Sequence, residues 1–259
     1  NPVNQRGFAS TTATGYTIDR WRSVTPGHKV ELTPNGLKLT ASSGAAFGYC
    51  IAQYIENYKQ FEGKTLTLSV HVVENTLTRG CGLRWNSTPG SKITGTGFFS
   101  FTFTPSSLSW QLNVGMHFLD KSTDSGKYVV IDKMKLEIGS VSTLANDPPA
   151  DYGEQLALCQ RYYQTISRDP VGTGYISSAG TTAYIAVPTP VTMRTTPTLV
   201  GATAGDFKIR QKATDITPTG LDIVKYDNLI VLRFTVEGAT AREIAGAWTS
   251  KSIALSADL

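Results

Sequence analysis

His71, Arg84, Gln111, Asn113 and His117 are the residues best suited to chemistry in this chain. Each falls on the polar phase of a segment whose other phase is apolar. Amide, imidazole and guanidinium groups beside aromatic rings suit sugar hydroxyls. The rings cover apolar C–H faces while the polar groups fix orientation. Tyr49, Tyr54 and Tyr58, in the segment just before, supply such rings. The competing reading is an ordinary solvated sheet face.

Catalytic patterns are scarce. The three histidines, His28, His71 and His117, form no HExxH, HxH or Cys/His cluster, so no metal or other cofactor is expected. Gly80-Cys81-Gly82 lacks the strand–turn–helix setting of a nucleophile elbow, and no P-loop or dinucleotide fingerprint occurs. Glu56, Glu62, Glu74, Asp120, Asp124 and Asp132 fall in turns or at strand ends, where carboxylates are ordinarily solvated. Asp124-Ser125-Gly126 reads as a turn rather than a calcium loop. Binding or scaffolding is expected, not catalysis. Cys159 reads as a small buried hydrophobe, whereas Cys50 and Cys81 are either a disulfide or free thiols.

Composition agrees. Only 17% of the 259 residues are charged, Thr, Ser and Gly are plentiful, and the formal charge is +4 with no Lys/Arg run. That balance favours an all-β protein and gives no electrostatic footprint for nucleic acid. No apolar stretch approaches the roughly 20 residues of a membrane span. The chain opens at Asn1 without methionine or leader, as a fragment or processed form would.

The elements that position these residues read as strands. Leu66, Leu68, Val70 and Val72 alternate with Thr67, Ser69 and His71; Leu83 and Trp85 flank Arg84; Phe99, Phe101 and Phe103 alternate with Ser100 and Thr102. Leu108, Trp110, Leu112, Val114, Met116 and Phe118 alternate with Ser109, Gln111, Asn113 and His117. Such period-2 runs predict strands with one face in a core and one towards solvent. Lys29–Thr33 and Gly36–Thr40 predict a hairpin through Pro34-Asn35-Gly36. Tyr16–Trp21 reads as an opening strand, with Trp21 either at the core edge or exposed. Phe47–Tyr58 fits either a strand or a short helix. Tyr128–Ile138 loses phase near Asp132-Lys133, which predicts a bulge. Residues 1–145 therefore read as a jelly-roll β-sandwich and 146–150, Asn-Asp-Pro-Pro-Ala, as a proline linker.

Residues 151–259 read as a smaller β-sandwich opened by one helix over Asp151–Gln164. Its start is a capping box of Asp151 and Glu154. Leu156, Leu158, Tyr162 and Ile166 are expected to bury, so that Leu158→Asp would unfold this half. Ile230, Leu232, Phe234 and Val236 share one strand face, and Trp248, which follows a loop, reads as a core residue of this half ahead of a loop-tip or interface residue.

Several segments carry a family resemblance: Asn4-Gln5-Arg6-Gly7-Phe8, Tyr16-Thr-Ile-Asp-Arg-Trp21, Lys135-Leu-Glu-Ile-Gly-Ser-Val141 and Tyr152-Gly-Glu-Gln-Leu-Ala-Leu-Cys-Gln-Arg-Tyr-Tyr163. Pro190-Val-Thr-Met-Arg-Thr-Thr-Pro197 and the closing Ala-Leu-Ser-Ala-Asp-Leu259 join them. In order and spacing the chain resembles the distal part of bacteriophage and prophage tail-fibre proteins. The resemblance implies a virion protein, assembled in the bacterial cytoplasm, with a carbohydrate-binding-module-like jelly roll and a C-terminal β domain. It implies identical subunits in a homotrimer, other virion proteins as partners and a host surface polysaccharide as the target. The chain itself has no heptad run to drive a trimer. A capsid-decoration or baseplate protein is the alternative, and a glycan depolymerase the third.

Overall fold

The computed structural model describes residues 3–109 and 111–258; Trp110, assigned above to a core face, lies outside them. Two compact units divide the chain, Asn1–Tyr152 and Gly153–Leu259. The division thus falls just inside the helix that begins at Tyr152.

In the first unit the strands are, in chain order, Ser10–Thr11 (β1), Gly15–Tyr16 (β2), Arg22–Ser23 (β3), Lys29–Thr33 (β4), Gly36–Thr40 (β5) and Tyr49–Tyr54 (β6). Leu66–Asn75 (β7), Cys81–Trp85 (β8), Thr88–Ile93 (β9), Gly97–Phe103 (β10), Asn113–Phe118 (β11) and Tyr128–Ile138 (β12) follow. They form two six-stranded sheets, β1-β4-β5-β12-β7-β10 and β2-β3-β6-β11-β8-β9, all of whose pairs are antiparallel. From β5 onwards the chain repeatedly crosses between sheets, as in a jelly roll. Leu66, Leu68, Val70 and Val72 from one sheet meet Ile51, Leu83, Val114 and Met116 from the other in one core. The expected hairpin is present, pairing Thr33 with Gly36. Gly36 sits at φ 131°, and a Cβ there would come within 2.2 Å of the Ile131 carbonyl oxygen, so no other residue fits this turn. β12 shifts register between Val130 and Lys133, where the phase slips.

The structure corrects three expectations here. Tyr16–Trp21 is not a continuous strand: only Gly15–Tyr16 pairs, with Arg22–Ser23, and a tight loop passes through Arg20 at φ 69°. The loop buries Asp19, whose carboxylate accepts the Gln5 backbone N–H at 2.9 Å and Gln5 Nε2 at 3.1 Å, with Arg6 Nε 3.4 Å away. Asn4 brackets Phe8, donating from Nδ2 to its carbonyl and accepting its N–H at Oδ1. The two N-terminal motifs therefore interlock, and Trp21 packs at the core edge. Second, Thr67 and Ser69 do not face solvent. Thr67 Oγ1 donates to Gly139 O at 2.7 Å and Ser69 Oγ lies 2.7 Å from Ser142 Oγ, so the segment after β12, with buried Leu144, covers them. Third, Asp124 is fully buried, accepting backbone N–H groups of Thr78, Arg79 and Gly80.

The second unit begins with α1 (Tyr152–Gln160) and continues with Tyr163–Ile166 (β13), Gly172–Ile176 (β14), Thr182–Pro188 (β15), Thr198–Val200 (β16) and Phe207–Gln211 (β17). Thr214–Ile216 (β18), Gly220–Lys225 (β19), Leu229–Thr235 (β20), Ile244–Thr249 (β21) and Ile253–Ser256 (β22) complete it. A three-stranded sheet, β13-β22-β16, and a seven-stranded sheet, β18-β17-β21-β14-β15-β20-β19, enclose Ile185, Phe207, Ile209, Leu232, Phe234 and Leu255.

The helix is shorter than predicted. It ends at Gln160, and Tyr163 and Gln164 instead open β13, which pairs with Ile253–Ser256, because a strand partner satisfies their backbone groups more completely than a frayed final turn. Cys159 and Tyr162 bury as expected, but Leu158 is 41% exposed and Leu156 and Ile166 are half-buried. Leu158→Asp is therefore expected to change stability by no more than about 0.5 kcal/mol. A thermal melt checks this, and a loss above about 2 kcal/mol would place Leu158 in the core.

The C-terminal motifs also meet. Arg194 N–H donates to Arg161 O at 2.8 Å, and its guanidinium donates to the carbonyls of Ala257 at 3.2 Å and Asp258 at 3.1 Å. Gln164 Nε2 donates to both Gln160 O and Val191 O, and Ala257 N–H to Tyr162 O. The helix end, the 190–197 segment and the chain terminus thus form one hydrogen-bonded knot.

Candidate functional site

The centre of the β2-β3-β6-β11-β8-β9 sheet brings most of the sequence candidates together. Along β11, Val114, Met116 and Phe118 point into the core, so Asn113, Gly115 and His117 take the outer face. Across β6, Asn113 is opposite Tyr54, Gly115 opposite Ala52 and His117 opposite Tyr49. Across β8, Gly115 is opposite Arg84 and His117 opposite Gly82. Tyr49, Tyr54, Arg84, Asn113 and His117 therefore share one face, with small residues at Ala52, Gly82 and Gly115 between them.

Arg84 is the centre of this cluster. Its Cζ lies 5.2 Å from the Tyr49 ring and 5.7 Å from the Phe47 ring, within cation–π range of both. Its Nε donates to Asn86 O at 2.9 Å, which fixes the fork. The Tyr49 hydroxyl is shared between the carbonyls of Asn86 at 2.8 Å and Asn113 at 3.1 Å. Burial pushes that phenol well above its usual range, so it remains a donor. Arg22, opposite Ala52, places its guanidinium 5.7 Å from the Tyr54 ring.

Asn113 and His117 are not on a solvated face as expected; both are buried, and so is Tyr49, which was expected to offer its ring to a sugar. Tyr49 and Phe47 cover them, with the Phe47 and His117 rings edge-to-face at 6.2 Å. A side chain at Gly82 would begin 3.0 Å from His117 Cε1, so this glycine makes room for the imidazole. Burial first, and Arg84 second, lower the His117 pKa against an opposing contribution from the Gly82 backbone. The ring is therefore neutral at pH 7. Asn113 donates its backbone N–H to Asn86 Oδ1 at 2.9 Å, while its own buried Oδ1 and the buried Arg22 Nε have no hydrogen-bond partner among the described residues. Such atoms cost about 1–3 kcal/mol each until a hydroxyl or water reaches them.

His71 and Gln111 do not join the cluster. His71 is on β7, in the other sheet, stacked on Phe98 at 4.2 Å with Nδ1 2.7 Å from Asp132 Oδ1. Its phase was read correctly; which sheet its strand enters is not encoded in phase. Gln111 precedes β11, and its carbonyl accepts Asn86 Nδ2 at 3.3 Å. Tyr58 packs against the core instead. Phe47, Asn86 and Arg22 were missed. The Phe47-Gly48-Tyr49 run was the available signal for the first.

Nucleophilic chemistry has little support in this unit. Cys50 and Cys81 are free, buried thiols, and burial pushes Cys81 up to about 12, so neither presents a thiolate. No hydroxyl or thiol among the described residues hydrogen-bonds the His71 imidazole. Among them, too, no group of three His, Cys, Asp or Glu side chains is placed to hold a metal ion, and no helix is long and apolar enough to cross a membrane. No family model matches the chain, and no curated protein matches it.

Proposed function

We propose that this chain is a glycan-binding component of a phage virion, a tail-fibre protein that holds a host surface polysaccharide on the Arg84 face. The observation that carries the binding role is the guanidinium of Arg84, held beside the exposed ring of Phe47 and the buried ring of Tyr49. The exposed Phe47 ring would cover the apolar face of a sugar and the fork would donate to its hydroxyls, while the buried Tyr49 and Asn113 support the guanidinium. The virion role rests on the motifs that resemble tail fibres. Those motifs build the two interlocks described above, so they mark the scaffold rather than the binding face. Assembly as a homotrimer would multiply weak single sites into firm attachment.

Arg84→Ala is expected to weaken polysaccharide binding about 10- to 100-fold, the value of a charge-assisted hydrogen bond. Arg84→Lys should recover little, since an ammonium lacks the planar fork. Binding measured on a glycan array and on whole cells checks both variants, with melting to confirm that they fold. Equal binding by Arg84→Ala would overturn this site, and a head-surface position in electron microscopy of the particle would overturn the tail-fibre role.

A further inference from the structure

The outer face of the seven-stranded sheet carries a second constellation that the reading above does not use. Its inner face is the core, with Ile185, Leu232, Ala245, Ala247 and Ile209 buried. The alternate residues must therefore face outward. Register aligns Asp222, Arg233, Tyr184, Tyr175 and Ile244 in one row across β19, β20, β15, β14 and β21. The next row runs Ala186, Thr173, Gly246, Arg210 and Asp215 across β15, β14, β21, β17 and β18.

Ring and fork chemistry alternate along these rows. Tyr175 and Tyr184 stack with centroids 5.1 Å apart and planes 21° apart, Tyr175 being 55% exposed and Ile244 80%. The two tyrosines, with Ile176, Ser177, Ser178 and Arg242, line a shallow cleft of about 440 Å³. Trp248 stands two residues along β21 from Gly246, with the Arg210 guanidinium 4.1 Å over its ring. Arg210 in turn binds Asp215 through two bonds, at 2.8 and 3.0 Å, and Arg233 pairs with Asp222. At Gly246 an added Cβ would meet nothing nearer than Gly172 O at 3.8 Å. The missing side chain leaves a trough bounded by Ile244, Trp248, Thr173 and Arg210.

We infer that this face is a second saccharide-binding platform, taking an extended neutral polysaccharide laid across the strands. It rests on the proposed reading only for the class of ligand; the residues are independent of the Arg84 face. The exposed phenol of Tyr175, the half-buried phenol of Tyr184 stacked on it and the half-buried indole of Trp248 provide apolar contact at the edge of a polar rim. The guanidiniums of Arg210 and Arg233 are each matched by a carboxylate, which suits a neutral hydroxyl-rich chain better than an acidic one. The roughly 4.8 Å spacing of strands sets successive contacts about one sugar ring apart.

Affinity electrophoresis of the full chain through gels holding dextran, mannan, galactan or arabinoxylan, with alginate as the acidic comparison, tests this. The proteins are the unaltered chain, Tyr175→Ala/Tyr184→Ala, Gly246→Leu and Arg84→Ala. The double variant and Gly246→Leu are each expected to lose about tenfold in affinity for a neutral polymer, with melting lowered by no more than about 5 °C. If both migrate as the unaltered chain does while Arg84→Ala loses retardation, the platform is overturned and the first site stands. If only the tyrosine and glycine variants lose it, the platform stands and the first site falls. No retardation of any protein in any gel overturns both. A solution mass that drops in the tyrosine variant while retardation persists makes the face a contact between copies, which also overturns the proposal.

Discussion

Replacing Asp124 with alanine is expected to destabilise the protein by about 3–5 kcal/mol, a large part of a total stability of about 5–15 kcal/mol. The carboxylate has no exposed surface and accepts the N–H groups of Thr78, Arg79 and Gly80 at 2.7, 2.9 and 3.1 Å. Lys127 Nζ, three residues on, stands 3.6 Å away and balances the charge. These bonds join the turn before β8 to the turn before β12, two connections far apart in sequence. Alanine would leave the donors in a closed space with nothing to bond, and the unmet backbone groups dominate the cost. Asp124→Asn keeps one carbonyl oxygen and should lose roughly half as much. Urea unfolding of both variants measures the difference. A loss below about 1 kcal/mol for alanine would mean that water reaches these N–H groups.

Asp124 also shows what the sequence carried and what it did not. Its place in a turn was legible from Asp124-Ser125-Gly126; that the turn folds inward was not, because a loop's burial depends on which distant strand ends it meets. The same limit explains Thr67, Ser69, Asn113 and His117. Period 2 separated each from the apolar face correctly, but a polar face can be covered by a segment distant in sequence, and residues 139–144 and Phe47 do so. The long alternations at Leu66–Val72 and Ile230–Phe234 were reliable because both edges of the pattern are unbroken. Tyr175 was missed, and Trp248, half-buried on the outer face under Arg210, was wrongly expected in the core, for the opposite reason. Their strands, Gly-Thr-Gly-Tyr-Ile and Ile-Ala-Gly-Ala-Trp-Thr, are interrupted by glycine and alanine, so no apolar phase stands out. The candidate binding face was partly legible, since residues on one strand face travel together. The helix was legible in kind but not in length, because its last turn was taken over by pairing with the chain terminus.

Phe234→Ala is expected to cost the second unit about 3–5 kcal/mol. The ring is fully buried on β20, 4.9 Å from the Phe207 ring, and sits opposite Ala183 on one neighbouring strand and Leu221 on the other. Ala183 is too small to fill the space that truncation would open, and sheet backbones on either side cannot close on it without breaking their ladders. One residue earlier, Arg233 faces the other way and shares its row with Tyr184 and Tyr175. Removing those outer rings takes no filled volume from the core, so the same unit should lose about 1 kcal/mol or less. Aromatic residues on the two faces of one sheet are thus expected to separate cleanly, the inner ring setting stability and the outer rings setting binding. Hydrogen exchange of the amides in residues 153–258 reads the first, and gel retardation by neutral polysaccharide the second. If Tyr175→Ala/Tyr184→Ala lowers protection as far as Phe234→Ala does, the outer rings belong to the packing and the separation fails.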